Sequence, residues 1–308
     1  MEHYVAPVKD AAVVVDAIRI DEKPRNLWSD AWTDLRRRPL FWISLVVVVI
    51  ILLMAVWPTL FTQVPPNNDC QLANSNEGPA SGHPLGFTFQ GCDVWSRIVW
   101  GARTSLSVGL LATLIGSLIG LVMGALAGFY GGWLDSLLSR IGDIFFSIPY
   151  ILAALVVMSV FSQYRNVFTL AFAIGGFAWA STARIVRAEV LRVRQADFVT
   201  ASLALGQSRF GTLIGHVVPN AIAPLLVVTT LSLAAAIVAE ATLTFLGVGL
   251  GGNVMSWGND ISQAQQSLRV APMALIWPSI ALTVTVLAFI MLGELIRDAL
   301  DPRARARR

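Results

Sequence analysis

Only two lysines, Lys9 and Lys23, occur in the 308 residues, and both precede the first long apolar run. A phosphate-cradling P-loop needs a glycine-rich turn followed by Lys and then Ser or Thr. Neither lysine stands in such a setting, so the chain carries no P-loop and any energy from ATP must come from a partner. Histidine is just as scarce. His3, His83 and His216 fall in three separate regions and, with two cysteines in the whole chain, offer no metal-ligand cluster and no nucleophile–base pair. That leaves a membrane-embedded enzyme without a catalytic set. Charge is thin throughout: 13% of residues are charged and 56% are hydrophobic, against about 25% and about 45–50% in soluble globular domains. The few ionisable groups stand at the edges of the apolar runs, with His216 and Glu240 beside two of them and Arg184 capping another. A proton- or ion-coupled carrier places such groups deeper, and commonly shows an internal repeat that is not evident here.

The apolar residues that are present come in long blocks. Six charge-poor stretches, near Phe41–Leu60, Ser105–Gly128, Ile144–Phe161, Val167–Ala183, Ala221–Ala239 and Met273–Gly293, suit a hydrocarbon core about 30 Å thick. Backbone groups in lipid must be paired internally, so these read as helices; the alternation of a barrel strand is absent. The expected fold class is all-α, a polytopic membrane protein with six transmembrane helices. Met1–Lys23 has no apolar core long enough for a signal peptide, so the first span is expected to be an uncleaved anchor. With the N-terminus in the cytoplasm, 18 Lys and Arg fall inside and only Arg97, Arg103, Arg165 and Arg269 outside. The positive-inside bias therefore puts both termini in the cytoplasm, and the basic balance reads as topology and contact with anionic membrane lipid, with no nucleic-acid partner.

The segments between runs have their own signals. After a polar tail to about Arg25, the spacing of Leu27, Trp28, Ala31, Trp32 and Leu35 predicts an amphipathic helix in the headgroup layer, with Pro39 turning the chain into the bilayer. Residues 58–103 are rich in Pro, Asn, Gly and Ser and read as an irregular outside loop. Both cysteines, Cys70 and Cys92, lie in it. A disulfide is the natural expectation in an oxidising compartment, and two unrelated thiols are the alternative. Gly116, Gly120, Gly124 and Gly128 recur every four residues, a ridge that lets another helix approach closely. The long inside loop 184–220 reads as a helix through Val199–Leu205, a turn at Gly206, and a short helix through Phe210–Val217 stopped at Pro219. It carries no catalytic constellation and looks like a docking element. The organisation is thus tail and interfacial helix 1–40, first span and outside loop 41–103, a five-helix core 104–297 and a tail 298–308.

Several ordered motifs carry a resemblance. Phe198-Val-Thr-Ala-Ser-Leu-Ala-Leu-Gly206 followed by His216-Val-Val-Pro219-Asn220 resembles the EAA loop of bacterial ATP-binding-cassette importer permeases. His83-Pro-Leu-Gly86, Asp93-Val-Trp-Ser-Arg97, Gly101-Ala-Arg-Thr-Ser-Leu106, Gly128-Phe-Tyr-Gly-Gly-Trp-Leu-Asp135, Thr244-Phe-Leu-Gly-Val-Gly249, Ser256-Trp-Gly258 and Arg297-Asp-Ala-Leu-Asp-Pro302 extend the likeness along nearly the whole chain. They are similar to the C-type permease of dipeptide and oligopeptide importers. The resemblance implies a type I importer permease in the bacterial inner membrane, moving di- or oligopeptides inward, though relatives also carry nickel complexes and other small solutes. It implies a second homologous permease, two ATPase subunits or domains and an extracytoplasmic peptide-binding protein as partners. ATP and Mg would be used by the ATPases, with no cofactor or metal on this chain. The EAA loop would seat in the ATPase through Thr200, Ala201, Ser202, Leu205 and Gly206. The motif usually opens with an acidic residue where Thr200 stands; Asp197, one turn earlier, is the substitute. Cys92 stands where relatives carry Arg, which suggests a disulfide in place of a polar contact. Glu240, near the outer end of the fifth span, is the candidate for the translocation pathway, where it would meet a peptide's amino terminus; a helix-end carboxylate facing water or pairing with an outer arginine is the alternative. Trp257 and Asp260 are candidates for contact with the binding protein, although interfacial tryptophan is also a common anchor.

Overall fold

The computed structural model describes residues 27–300 except residue 69, so the expected N-terminal tail and residues 301–308 lie outside the described residues. The chain is helical, with no strand among the described residues beyond two isolated bridges in the long loop. Helix α1 (Leu27–Leu35) is followed by α2 (Pro39–Val56), with Pro39 in its first turn, where a missing N–H costs nothing. Ala31 and Leu35 of α1 bury against Phe41 and Ala299, and Arg38 bridges Asp34 at 2.7 Å and Asp298 at 3.2 Å. The amphipathic helix thus clips the two ends of the described chain together.

Helix α3 (Val94–Tyr130) starts where Asp93 accepts the Ser96 N–H at 2.7 Å and ends at Gly131, whose φ of +68° only glycine adopts freely. Its glycine ridge finds its neighbour in α6 (Val167–Arg194). A Cβ on Gly120 would fall 2.7 Å from that of Thr182, and one on Gly124 2.5 Å from the Ala183 carbonyl oxygen. The two helices therefore touch backbone to backbone, the contact that missing side chains permit.

The third apolar run is not one straight helix. It is divided between α4 (Gly132–Ser147) and α5 (Tyr150–Val160), bent by 79°. Pro149 is the cause: it drives Ile148 into an extended conformation (φ −93°, ψ 122°) and cannot donate to the turn before it. Five described helices are long and apolar enough to cross a membrane, and the bent pair makes up to six. Helix α4 is tied to α6 by Arg187, whose Nε and Nη2 donate to Asp135 at 2.5 and 2.7 Å, and by Arg184 to Asp143 at 2.8 Å.

The segment after α6 also differs from the sequence expectation. Helix α7 (Asp197–Ala204) and the one-turn α8 (Arg209–Thr212) flank Gly206, at φ +86°. The chain then does not stop at Pro219. Leu213–Val217 form a π-turn that runs directly into α9 (Val218–Phe245), with Pro219 in the first turn of that helix. Widening the turn by one residue accommodates a ring that would otherwise strike the preceding carbonyls. Helices α10 (Trp257–Ala264) and α11 (Met273–Leu300) complete the fold.

Candidate functional site

Two groups of residues combine named chemistry with defined geometry, and they lie at opposite ends of α9. The first is the α7–α8 turn. Val199 and Ser202 face inward, and Ser202 Oγ donates to Gln207 Oε1 and lies 3.1 Å from Thr212 Oγ1. His216 Nε2, from the π-turn, reaches the same Gln207 oxygen at 3.0 Å. Asn220 donates to the His216 carbonyl at 2.7 Å. These bonds brace α7 against the base of α9. Asp197, Thr200, Ala201 and Gly206 are exposed on the other side, and Leu205 is 88% exposed. Ser202, grouped with them by sequence, points into this brace because its hydroxyl is the one that Gln207 and Thr212 can satisfy. Gln207, Phe198 and Phe210 are not among the contact residues that sequence alone singles out. Both phenylalanines are exposed, at 46% and 62%. A Phe on either flank of the helix–Gly–helix signal was the available clue.

The second group joins α3, α9 and α10. Arg97 is buried, its Nε donating to Asp260 Oδ1 at 2.7 Å, its Nη2 to the same oxygen and its Nη1 to Asn67 at 2.6 Å. Burial pushes the Asp260 carboxyl above the usual carboxylate range, and the Arg97 guanidinium pulls against that rise. Trp257 is 1% exposed; its indole N–H donates to the Ile98 carbonyl at 2.9 Å and its backbone N–H to Ser105 Oγ at 3.2 Å. Neither Trp257 nor Asp260 presents a surface to a docking protein. Both are needed to hold α10 in the fold, since an indole N–H and a carboxylate enclosed in protein must find partners there. Glu240, on α9, is likewise fully buried and accepts the Thr244 hydroxyl at 3.1 Å. In this conformation it faces protein on all sides, and its carboxyl belongs to the α9–α10 junction. Asp260 and Arg97 looked like loop charges because they are distant in sequence; only the fold makes them a pair.

In the segment before α3, Cys70 and Cys92 are bonded to one another, with Cα atoms 4.2 Å apart. The bridge sits beside the Asp93 cap, where His83 Nδ1 approaches Asp93 Oδ1 at 3.0 Å. It therefore fastens the long segment to the start of α3. Among the described residues no group of three or more His, Cys, Asp or Glu side chains could hold a metal ion.

Comparison with known proteins follows the same lines. Residues 116–306 match the family described as the binding-protein-dependent transport system inner membrane component. Residues 26–79 match the N-terminal transmembrane domain of oligopeptide transport permease C. The chain is 35% identical to the oligopeptide transport system permease protein OppC of Bacillus subtilis over 295 residues, 96% of each chain. It is 32% identical to the glutathione transport system permease protein GsiD of Escherichia coli over 284 residues, 92% of this chain and 93% of that one. Two solved structures share the fold. One, from the inward-facing MetNI methionine ABC transporter, has a TM-score of 0.52 at 19% identity and covers 66% of this chain and 95% of its own. The other, from an amino acid ABC transporter solved with histidines, has a TM-score of 0.50 at 18% identity and covers 65% and 92%.

Proposed function

This chain belongs to the binding-protein-dependent transport system inner membrane components, the permeases of ABC importers, and we propose that it moves di- or oligopeptides into the cytoplasm using ATP hydrolysed by other subunits. Peptide is favoured over other solutes by two relatives matched over nearly their whole length, an oligopeptide permease and a glutathione permease. The partners proposed are a second, homologous permease, two ATPase subunits or domains and a peptide-binding protein outside the cell. The α7 end of the bundle is assigned to the cytoplasm by its arginines, and the Cys70–Cys92 segment to the outside. This chain hydrolyses nothing and binds no cofactor; Mg and ATP belong to the ATPases.

The observation that carries the coupling role is the exposed apolar surface of the α7–α8 segment. Phe198, Leu203, Leu205, Phe210 and Ile214 are all exposed there, while the turn is pinned from within by Ser202, Gln207 and His216. A rigid turn with greasy residues facing away from its own protein suits a groove on another. Asp197, Thr200, Ala201 and Gly206 complete that face, with small side chains permitting close approach. Closure of the ATPases would push this turn as a lever, and the brace at Gln207 would pass the push to α9.

Leu205→Asp is the direct test. It leaves the brace untouched and places a charge where desolvation is required. It is expected to lower co-purification of the ATPases about tenfold, as removal of a central apolar anchor does at other interfaces. Unaltered co-purification with L205D would remove the turn from the interface.

A further inference from the structure

Helix α3 carries three faces of different chemistry. Its glycine ridge packs on α6. A second face exposes Leu110, Leu114, Leu118 and Val122 at four-residue spacing, the pattern of a helix side bathed in lipid. The third face presents Thr113 and Ser117 to a crevice of about 130 Å³ shared with α5, α6 and α9. Ser181 of α6, Ser232 and Ala235 of α9 and Tyr150 of α5 line the same crevice. No Asp, Glu, Lys or Arg lines it. Ser181 and Ala235 are exposed, and Ser117 and Ser232 are partly so.

Two observations separate this crevice from an ordinary packing defect. Thr113 is 5% exposed, and its hydroxyl oxygen is enclosed with no hydrogen-bond partner. An enclosed hydroxyl without a partner costs stability unless something else supplies one. The exposed positions around it are hydroxyl or methyl groups, whereas the adjoining lipid-type face is leucine and valine. A membrane protein that turned both faces to lipid would have no reason to differentiate them.

We propose that this crevice is a stretch of the translocation path that holds the peptide main chain and ignores its side chains. The proposal rests on the peptide reading above and goes further by naming what is recognised. Ser181 donates to the Ala178 carbonyl at 3.1 Å and Ser117 is bonded to Thr229 at 3.2 Å, so these two keep lone pairs for peptide N–H groups. The Thr113 and Ser232 hydroxyls can also donate to the C=O groups that every peptide repeats. Uncharged walls neither attract nor repel Lys, Arg, Asp or Glu in the cargo, and the small residues at Ala235 and Ala178 leave room for varied side chains. The same walls hold no carboxylate, imidazole or thiolate, the side chains that transition-metal ions favour.

The test uses the complete transporter with its ATPases, partner permease and binding protein. Both native cysteines are in the disulfide, so a single cysteine introduced elsewhere is this chain's one free thiol, and labelling is read on this chain after the subunits are separated. S181C and S232C are expected to react with a water-soluble thiol reagent and to be protected by saturating peptide, while L114C and L118C stay unreactive. Separately, the combined variant T113V/S117A/S181A/S232A is expected to import acidic, basic and neutral peptides about tenfold more slowly, by a common factor, with the ATPases still bound. Unreactive S181C and S232C, or unchanged import by the combined variant, would overturn the crevice as path. A loss confined to peptides of one charge would overturn the main-chain reading. If the unaltered transporter imports no peptide at all, the peptide reading itself falls and this proposal with it.

Discussion

Replacing Arg97 by methionine is expected to destabilise the chain by about 3–5 kcal/mol, because it leaves Asp260 buried without its counter-charge. Arg97 donates to Asp260 through two nitrogens and to Asn67 through a third, so one side chain holds α10, the start of α3 and the long loop together. Lysine cannot replace it, since a single ammonium lacks the planar fork that serves both oxygen partners at once. The second-site variant R97M/D260N removes the stranded charge and is expected to recover part of the loss. Titration with a denaturing detergent, read by tryptophan fluorescence, measures both. An R97M midpoint equal to that of the unaltered chain would mean that the pair does not hold α10.

Gly124→Ala is expected to destabilise by about 2 kcal/mol, although alanine in place of glycine favours an exposed helix by about 1 kcal/mol. The new Cβ would lie 2.5 Å from the Ala183 carbonyl oxygen, 2.9 Å from the Val186 Cβ and 3.0 Å from the Arg187 backbone N. Two of those atoms are backbone, so α3 and α6 must separate. Gly176→Ala makes the same chemical change on α6, where the nearest atoms are the Phe172 ring at 3.9 Å. That variant is expected to keep or slightly raise stability. Equal midpoints for G124A and G176A would show that the ridge is not in tight contact.

These two sites mark how far the sequence could be read. The four-residue glycine spacing was legible because a ridge is a local pattern, but its partner was not, since nothing in α3 names α6. The third apolar run looked continuous because a hydropathy window does not register the conformational demand of one proline, and Pro149 breaks it. Pro219 was read as a stop for the converse reason: a π-turn can absorb a proline when the helix has enough tertiary support to continue. The family motifs located the α7–α8 turn, yet not which of its residues face away. Ser202 and Leu205 are both plausible contacts by composition, and hydrogen bonding to Gln207 and Thr212 is what turns Ser202 inward. Arg97 and Asp260, 163 residues apart, gave no local signal of being partners.

The central claim is that this chain is the passive, ATP-coupled channel of a peptide importer, and uptake into proteoliposomes tests it most directly. The complete transporter is reconstituted and labelled peptide is supplied on the side of the Cys70–Cys92 segment together with the binding protein, with ATP and Mg on the α7 side. The account predicts uptake that requires ATP, the ATPases and the binding protein together, and that L205D lowers in step with loss of the ATPases. Peptide uptake by this chain without ATP, or ATP hydrolysis by this chain purified alone, would contradict it.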